Sequence, residues 1–157
     1  MAQQSTEYGK RQGDGHSVFP FPIGASEVFK KKGGSFVKDD GSGRMEIAVA
    51  ASTNVGGWAL FNEDFTASST EGGTTLPVDL SLDSTYEIPI NSGTWADTMR
   101  GKTCDLSISS SIQGANLAAS STDVITLVDK GTTNAAGTVV SVLCRINPNT
   151  QSLSGVV

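Results

Sequence analysis

The sequence holds a single histidine, His16, and only two cysteines, Cys104 and Cys144. Nucleophilic catalysis of the Ser/His or Cys/His kind needs a base held beside the nucleophile. His16 lies in the polar opening stretch MAQQSTEYGKRQGDGHS, with nothing in the sequence to hold it in a cleft, so no enzyme of that kind is expected. One histidine and two distant cysteines offer no ligand-pair spacing for a transition metal. No apolar run approaches the ~20 residues of a membrane helix, and the opening stretch lacks the apolar segment of a signal peptide. These absences predict a chain made in the cytoplasm without a secretion step. Its two thiols, both in apolar strand-like runs, should be buried and reduced. Charged residues make up 17% of the chain and the net charge is −5. That balance argues against free nucleic acid as a partner, because phosphate binding needs a basic surface. The run Lys30-Lys31-Lys32 beside Gly33-Gly34 reads as a solvated turn.

Small polar residues and β-branched apolar runs are abundant instead. With 18 glycines among 157 residues, they predict an all-β domain with many turns. RMEIAVAAS (44–52) and GGWALFNEDF (56–65) read as two strands joined by the hairpin loop STNVGG. VFK (28–30) and SFV (35–37) could pair around KKGG, with a short helix from Ser26 as the alternative. LPVDLSL, TYEIPI and TCDLSIS read as strands, NSGTWADTMRGK as a loop with one helical turn between Thr94 and Gly101, and SSIQGANLAASS as a second loop. About eight short strands result, at a spacing that suggests a small barrel or sandwich. The expected organisation is an extended N-terminal arm over 1–26, a β-rich body over 27–147 and a polar tail over 148–157.

Four motifs were weighed for chemistry. Asp39, Asp40 and Glu46 in KDDGSGRME do not follow the alternation of a calcium loop and read as an acidic turn. Asp79, Asp83 and Glu87 could be chosen as paired carboxylates for sugar hydrolysis, but with no aromatic platform nearby in sequence they read as solvated residues. Gly101-Lys102-Thr103 copies the end of a phosphate-binding loop. Position 96, where the first glycine belongs, is Ala96, and the segment leads into a strand where that motif needs a helix. Trp58 sits in a strand and reads as core. Trp95 sits in a loop and is the better candidate for stacking on a sugar. No catalytic residue, cofactor or metal site is predicted.

What remains is apolar surface. In DVITLVDKGTTNAAGTVVSVLCRI (123–146) two strands flank a turn, and both of their faces carry apolar side chains. A chain of this size has one interior, so the second face predicts either its own arm as a cover or a symmetric oligomer, with Val139, Val142 and Leu143 as interface candidates. The segment VFPFPIG alternates Phe19, Phe21 and Ile23 with Pro20 and Pro22. Prolines so spaced block pairing along one edge and favour an extended chain. Phe19, Phe21 and Ile23 are therefore the candidate partner-binding residues of the arm.

The second half carries a further pattern: STYEIPINSGTWADTMRGKTCDLSI, then DVITLVDKG, then VVSVLCRIN. Its tyrosine-bearing strand, Gly/Thr/Ala loop, GK-x-x-DL strand and final Arg-bearing hairpin resemble the small head decoration, or cement, proteins of tailed bacteriophages, over about residues 76 to 147. The N-terminal part lies outside that pattern. The resemblance implies a β-rich body on the outside of an icosahedral head, commonly a homotrimer, bridging copies of the major capsid protein, with no cofactor and no active site. The alternative expectation is a carbohydrate- or receptor-binding β-module of a phage tail or spike.

Overall fold

A computed structural model describes residues 9–12 and 17–152. The chain is all-β, as expected. Its strands are β1 (Gly9–Gln12), β2 (Val18–Ile23), β3 (Val28–Phe29), β4 (Phe36–Asp39), β5 (Met45–Ile47), β6 (Gly57–Ala59), β7 (Phe65–Thr66), β8 (Thr74–Asp79), β9 (Thr85–Ser92), β10 (Thr103–Ser109), β11 (Ile112–Asn116), β12 (Ile125–Lys130) and β13 (Ser141–Ile146). The sequence reading counted about eight. The strands it missed or merged are two to five residues long, most of them too short to display a period of two.

The strands form two closed rings. The first is the barrel β2-β5-β4-β6-β8. In the second, pairing runs β9-β11-β10-β12-β13 and returns to β9, with β1 added beside β9. Strands of the first barrel that border the second ring serve two cores at once. Along a strand, successive side chains point to opposite sides. Val37, Ala59 and Val78 fill the first barrel, while their neighbours Phe36, Trp58 and Asp79 turn toward the second. Each of these strands lies between two cores.

Between the rings, the Trp58 and Tyr86 rings stack at 4.3 Å, and Phe36 meets both edge-on at 4.8 and 5.4 Å. Such pairs contribute about 0.5–1.5 kcal/mol each beyond their buried area. Gln113, itself buried, crosses the same boundary and bonds the backbone of Phe36 and Ala48. A Cβ on Gly34 would lie 2.5 Å from the Gln113 side-chain oxygen, so only glycine allows the chain to pass there.

Several expectations are corrected. Residues 18–26 are not an arm outside the body, because β2 pairs with β8 over all six of its residues. Leu80 N–H donates to the Ser17 carbonyl at 2.9 Å. That parity gives the ladder bonds to Phe19, Phe21 and Ile23 and turns the nitrogens of Pro20 and Pro22 away from β8. The prolines leave the other edge without donors at 20 and 22, and β5 joins that edge only at the end of the strand, at Ile23 and Gly24. β5 and β6 do not pair with each other, since β4 lies between them and bonds both. β3 pairs with β7, not with the start of β4. SSIQGANLAASS is not all loop, because it contains β11. Ser110 and Ser111 make the two-residue turn before it, both at positive φ, where Asn-Gly is the usual signal. The described part of the polar tail, 148–152, is tied down through Gln151, whose amide donates to the carbonyls of Gly56 and Leu80, and 153–157 lie outside the described residues.

Candidate interaction surface

The hairpin 123–146 closes the second ring. Ile125, Leu127, Val142, Cys144 and Ile146 point inward and are buried, while Val128 and Leu143 on the outer face are half-buried. A shift of register between Leu127 and Asp129 carries the strand around the bend. Val142 therefore faces its own core and is not an interface residue. Leu143 and Val139, both half-buried, keep a surface for a partner. Among the arm candidates, Ile23 is fully buried in the first barrel, Phe21 packs against that core, and Phe19 is 51% exposed. The correction follows from the strand's parity, since the three side chains share the inward face and only Phe19 lies where the barrel opens. Among the described residues the other large exposed apolar side chains are Val49, Leu82 and Ile108. Leu143 and Val139 belong to the second ring and Phe19 to the first, so the two candidate sets form two surfaces.

Two of the three carboxylates expected to be solvated are buried. Asp79 is fully buried and accepts from the Ser84 hydroxyl (2.7 Å), the Tyr86 hydroxyl (3.0 Å) and the Ser81 amide (3.0 Å). Burial, then the neighbouring Asp79 charge, pushes the Tyr86 phenol well above its ordinary range. Glu87 is buried and accepts from the hydroxyls of Thr132 and Ser141, both at 2.6 Å. Asp83 alone of the three is exposed. Asp105, which the sequence reading did not single out, is buried on β10 and accepts from the amides of Ser121, Thr122 and Asp123 and from the Ser121 hydroxyl. Burial acts to raise its pKa, but these donors outweigh it and hold the carboxyl well below the usual carboxylate range. Each buried carboxylate is surrounded by donors from neighbouring segments. In sequence, the only signal for this is an acid between strand apolars with Ser or Thr nearby, which in this chain is everywhere.

The acidic turn is a hairpin closed on itself. Asp40 accepts from the amide of Ser42 and from the backbone and guanidinium of Arg44, and Glu46 pairs with Lys38. Among the described residues no three His, Cys, Asp or Glu side chains gather as a metal would require. No helix there is long and apolar enough to cross a membrane. Cys104 and Cys144 are both free and buried. Burial pushes the Cys104 thiol up to about 12 and raises that of Cys144 well above its ordinary value. The loop 93–102 holds one 3-10 turn, Asp97–Met99, ended by Gly101 at φ +78°, but Thr94 does not cap it. Gly101-Lys102-Thr103 runs straight into β10, as expected of a false phosphate loop. Trp58 is core. Trp95 is half-buried, its indole N–H donates to Asp97 at 3.1 Å, and the Arg100 guanidinium lies 5.9 Å from its ring centre. His16 lies outside the described residues.

No family model, no curated protein and no solved structure matches this chain.

Proposed function

We propose that this chain is a virion structural protein, a decoration or cement protein that binds the major capsid protein on the outside of a phage head and stabilises the shell. It acts there as a homotrimer, without cofactor and without catalysis. One observation carries the reading. The stretch that resembles the phage proteins, about residues 76 to 147, takes in β9 to β13, all of the second sheet but β1, together with the end of β8 of the first barrel. The half-buried Leu143 and Val139 and the exposed Phe19 supply apolar surface for neighbours.

The runner-up, a carbohydrate- or receptor-binding module, rests on Trp95. That ring is half-buried and already engaged by Asp97 and Arg100, which leaves less of it for a sugar. Expanded heads assembled from a phage major capsid protein, and lacking this protein, provide the test. The chain should sediment with them to a fixed stoichiometry and raise the temperature at which they rupture. Free heads with the chain left in the supernatant, together with saturable binding to a glycan, would favour the runner-up.

A further inference from the structure

The first barrel closes unevenly. β2 holds β8 through six ladder pairs, and β5 holds β4 through three. β6 makes two pairs with each of β4 and β8, lengthened where the amides of Gly56, Ala59 and Leu60 donate to the carbonyls of Val37, Ser35 and Pro77. Between β2 and β5 there is one pair, Ile23 with Met45, and beside it the Gly24 amide donates to the Met45 carbonyl at 2.9 Å. Pro20 and Pro22 face this seam without an N–H. The second ring backs β4, β6 and β8, whereas among the described residues none of β2 or β5 enters the core shared with it.

Two carboxylates stand in for the missing ladder. Glu27 accepts from the Ile47 amide of β5 at 3.0 Å. Glu71 accepts from the amide of Ala25, just past β2, at 3.1 Å, and meets the guanidinium of Arg44, just before β5, at 3.2 Å. Glu27 is half-buried and faces Glu46 from β5, Lys38 from β4 and Glu71 from the turn before β8. Lys38 is already paired with Glu46, and Arg44 with Asp40 and Glu71. Burial foremost, then Glu46 and Glu71, raise the Glu27 pKa above its ordinary value, against the Ile47 amide and Lys38, which lower it. The charged carboxylate is therefore the costlier form in the closed barrel. The stability that Glu27 contributes is fully present below the ordinary value of 4.5 and is lost as the pH rises through the folded one.

We propose that the β2–β5 seam is the line along which the first barrel opens, and that Glu27 governs the opening, loosening the seam at neutral pH and tightening it in mild acid. β2 stays on β8 and β5 on β4, while the gap between them exposes Ile23 and Met45, both buried in the closed barrel. The device stands apart from the decoration reading, and its test needs no capsid.

Amide hydrogen exchange of the full chain is the test, with each rate divided by the unfolded-chain rate at the same pH so that it reports opening alone. At about pH 7, Gly24 and Ile47, whose amides face the seam, should be less protected than Phe21 and Ile23, whose amides face β8. At about pH 5 the protection of Gly24 and Ile47 should rise at least about twofold. Glu27→Gln keeps an acceptor for the Ile47 amide and removes the charge. It should raise the protection of both seam amides at neutral pH and abolish their dependence on pH. The pH series of the parent reads the same claim without a substitution. Equal protection of all these amides at neutral pH would mean that the barrel opens only as a whole, and overturns the proposal. So does seam protection that is unchanged or lower in mild acid, or a Glu27→Gln variant whose seam amides behave as in the parent.

Discussion

The side chain of Gln113 and the backbone of Phe36 exchange two hydrogen bonds. The Gln113 amide donates to the Phe36 carbonyl at 2.9 Å, and its oxygen accepts from the Phe36 N–H at 2.8 Å. The second amide hydrogen goes to the Ala48 carbonyl at 2.8 Å. One side chain of the second ring thus acts as a short strand partner for the first, 77 residues away in sequence. Gln113→Ala leaves the Phe36 N–H and the Ala48 carbonyl unpaired, while the Phe36 carbonyl keeps the Ala48 N–H at 2.9 Å. Each such group costs about 1–3 kcal/mol, and with partial rehydration the variant should lose about 2–4 kcal/mol in urea unfolding. A loss under about 1 kcal/mol would mean that the rings are held by aromatic packing alone.

Phe19, Phe21 and Ile23, spaced two residues apart along β2, form a graded series. Ile23→Ala empties a fully buried site of the first barrel and should cost about 2–5 kcal/mol. Phe19→Ala, at the exposed end of the same strand, should cost well under that. Deleting residues 1–24 removes β2 and should prevent a cooperative thermal transition. Near-wild-type melting of the deletion would return the segment to the status of a free arm.

Much of this was legible in the sequence, and the losses have physical causes. β8, β9, β10, β12 and β13 were visible because a period of two persists over six or more residues. The two-ring plan was hidden, since the strands of the first barrel are brief and their pairing is set by distant contacts such as Phe36 with Trp58. The two-faced apolar pattern was read in the hairpin 123–146, whose outer face is half-buried at Val128 and Leu143. The strands β4 and β6, whose side chains do divide between two cores, were not read as two-faced. Pro20 and Pro22 were read as blocking one edge of an extended arm, and the pairing of the other edge with β8 was not legible. Asp105 was not legible at all, because its partners are the backbone of a linker.

Acid should weaken the fold through Asp105. Its folded pKa lies below the ordinary value of 3.8. The stability it contributes is therefore fully present above that ordinary value and is lost as the pH falls toward the folded one. The urea midpoint of the parent should drop between about pH 4 and pH 2, where the carboxyl titrates. Asp105→Asn brings an N–H₂ group against the donors of residues 121–123, and it should be destabilised at neutral pH with a flatter acid limb. Parallel profiles for the two proteins would remove Asp105 from the account.

Both cysteines should resist modification in the native protein. Thiol reagents attack the thiolate, and Cys104 and Cys144 are buried with raised pKa values. A thiol assay should find none reacting in buffer at neutral pH and two in denaturant. None in either state would mean a disulfide.

Val142 and Leu143 are adjacent on β13 and face opposite ways, the first fully buried and the second half-exposed to the outside. Val142→Arg should unfold the chain. Leu143→Arg should leave it folded and, on the decoration reading, reduce the mass of the oligomer to that of a monomer. An unchanged mass would remove Leu143 from the interface.

The central claim is decided most directly by imaging heads assembled without this protein, before and after adding it. The account predicts added density only on the outer surface, three copies gathered at each threefold position and joining neighbouring capsid subunits. Heads that gain no density, or gain it only at the tail vertex, contradict the assignment of this chain as a capsid decoration protein.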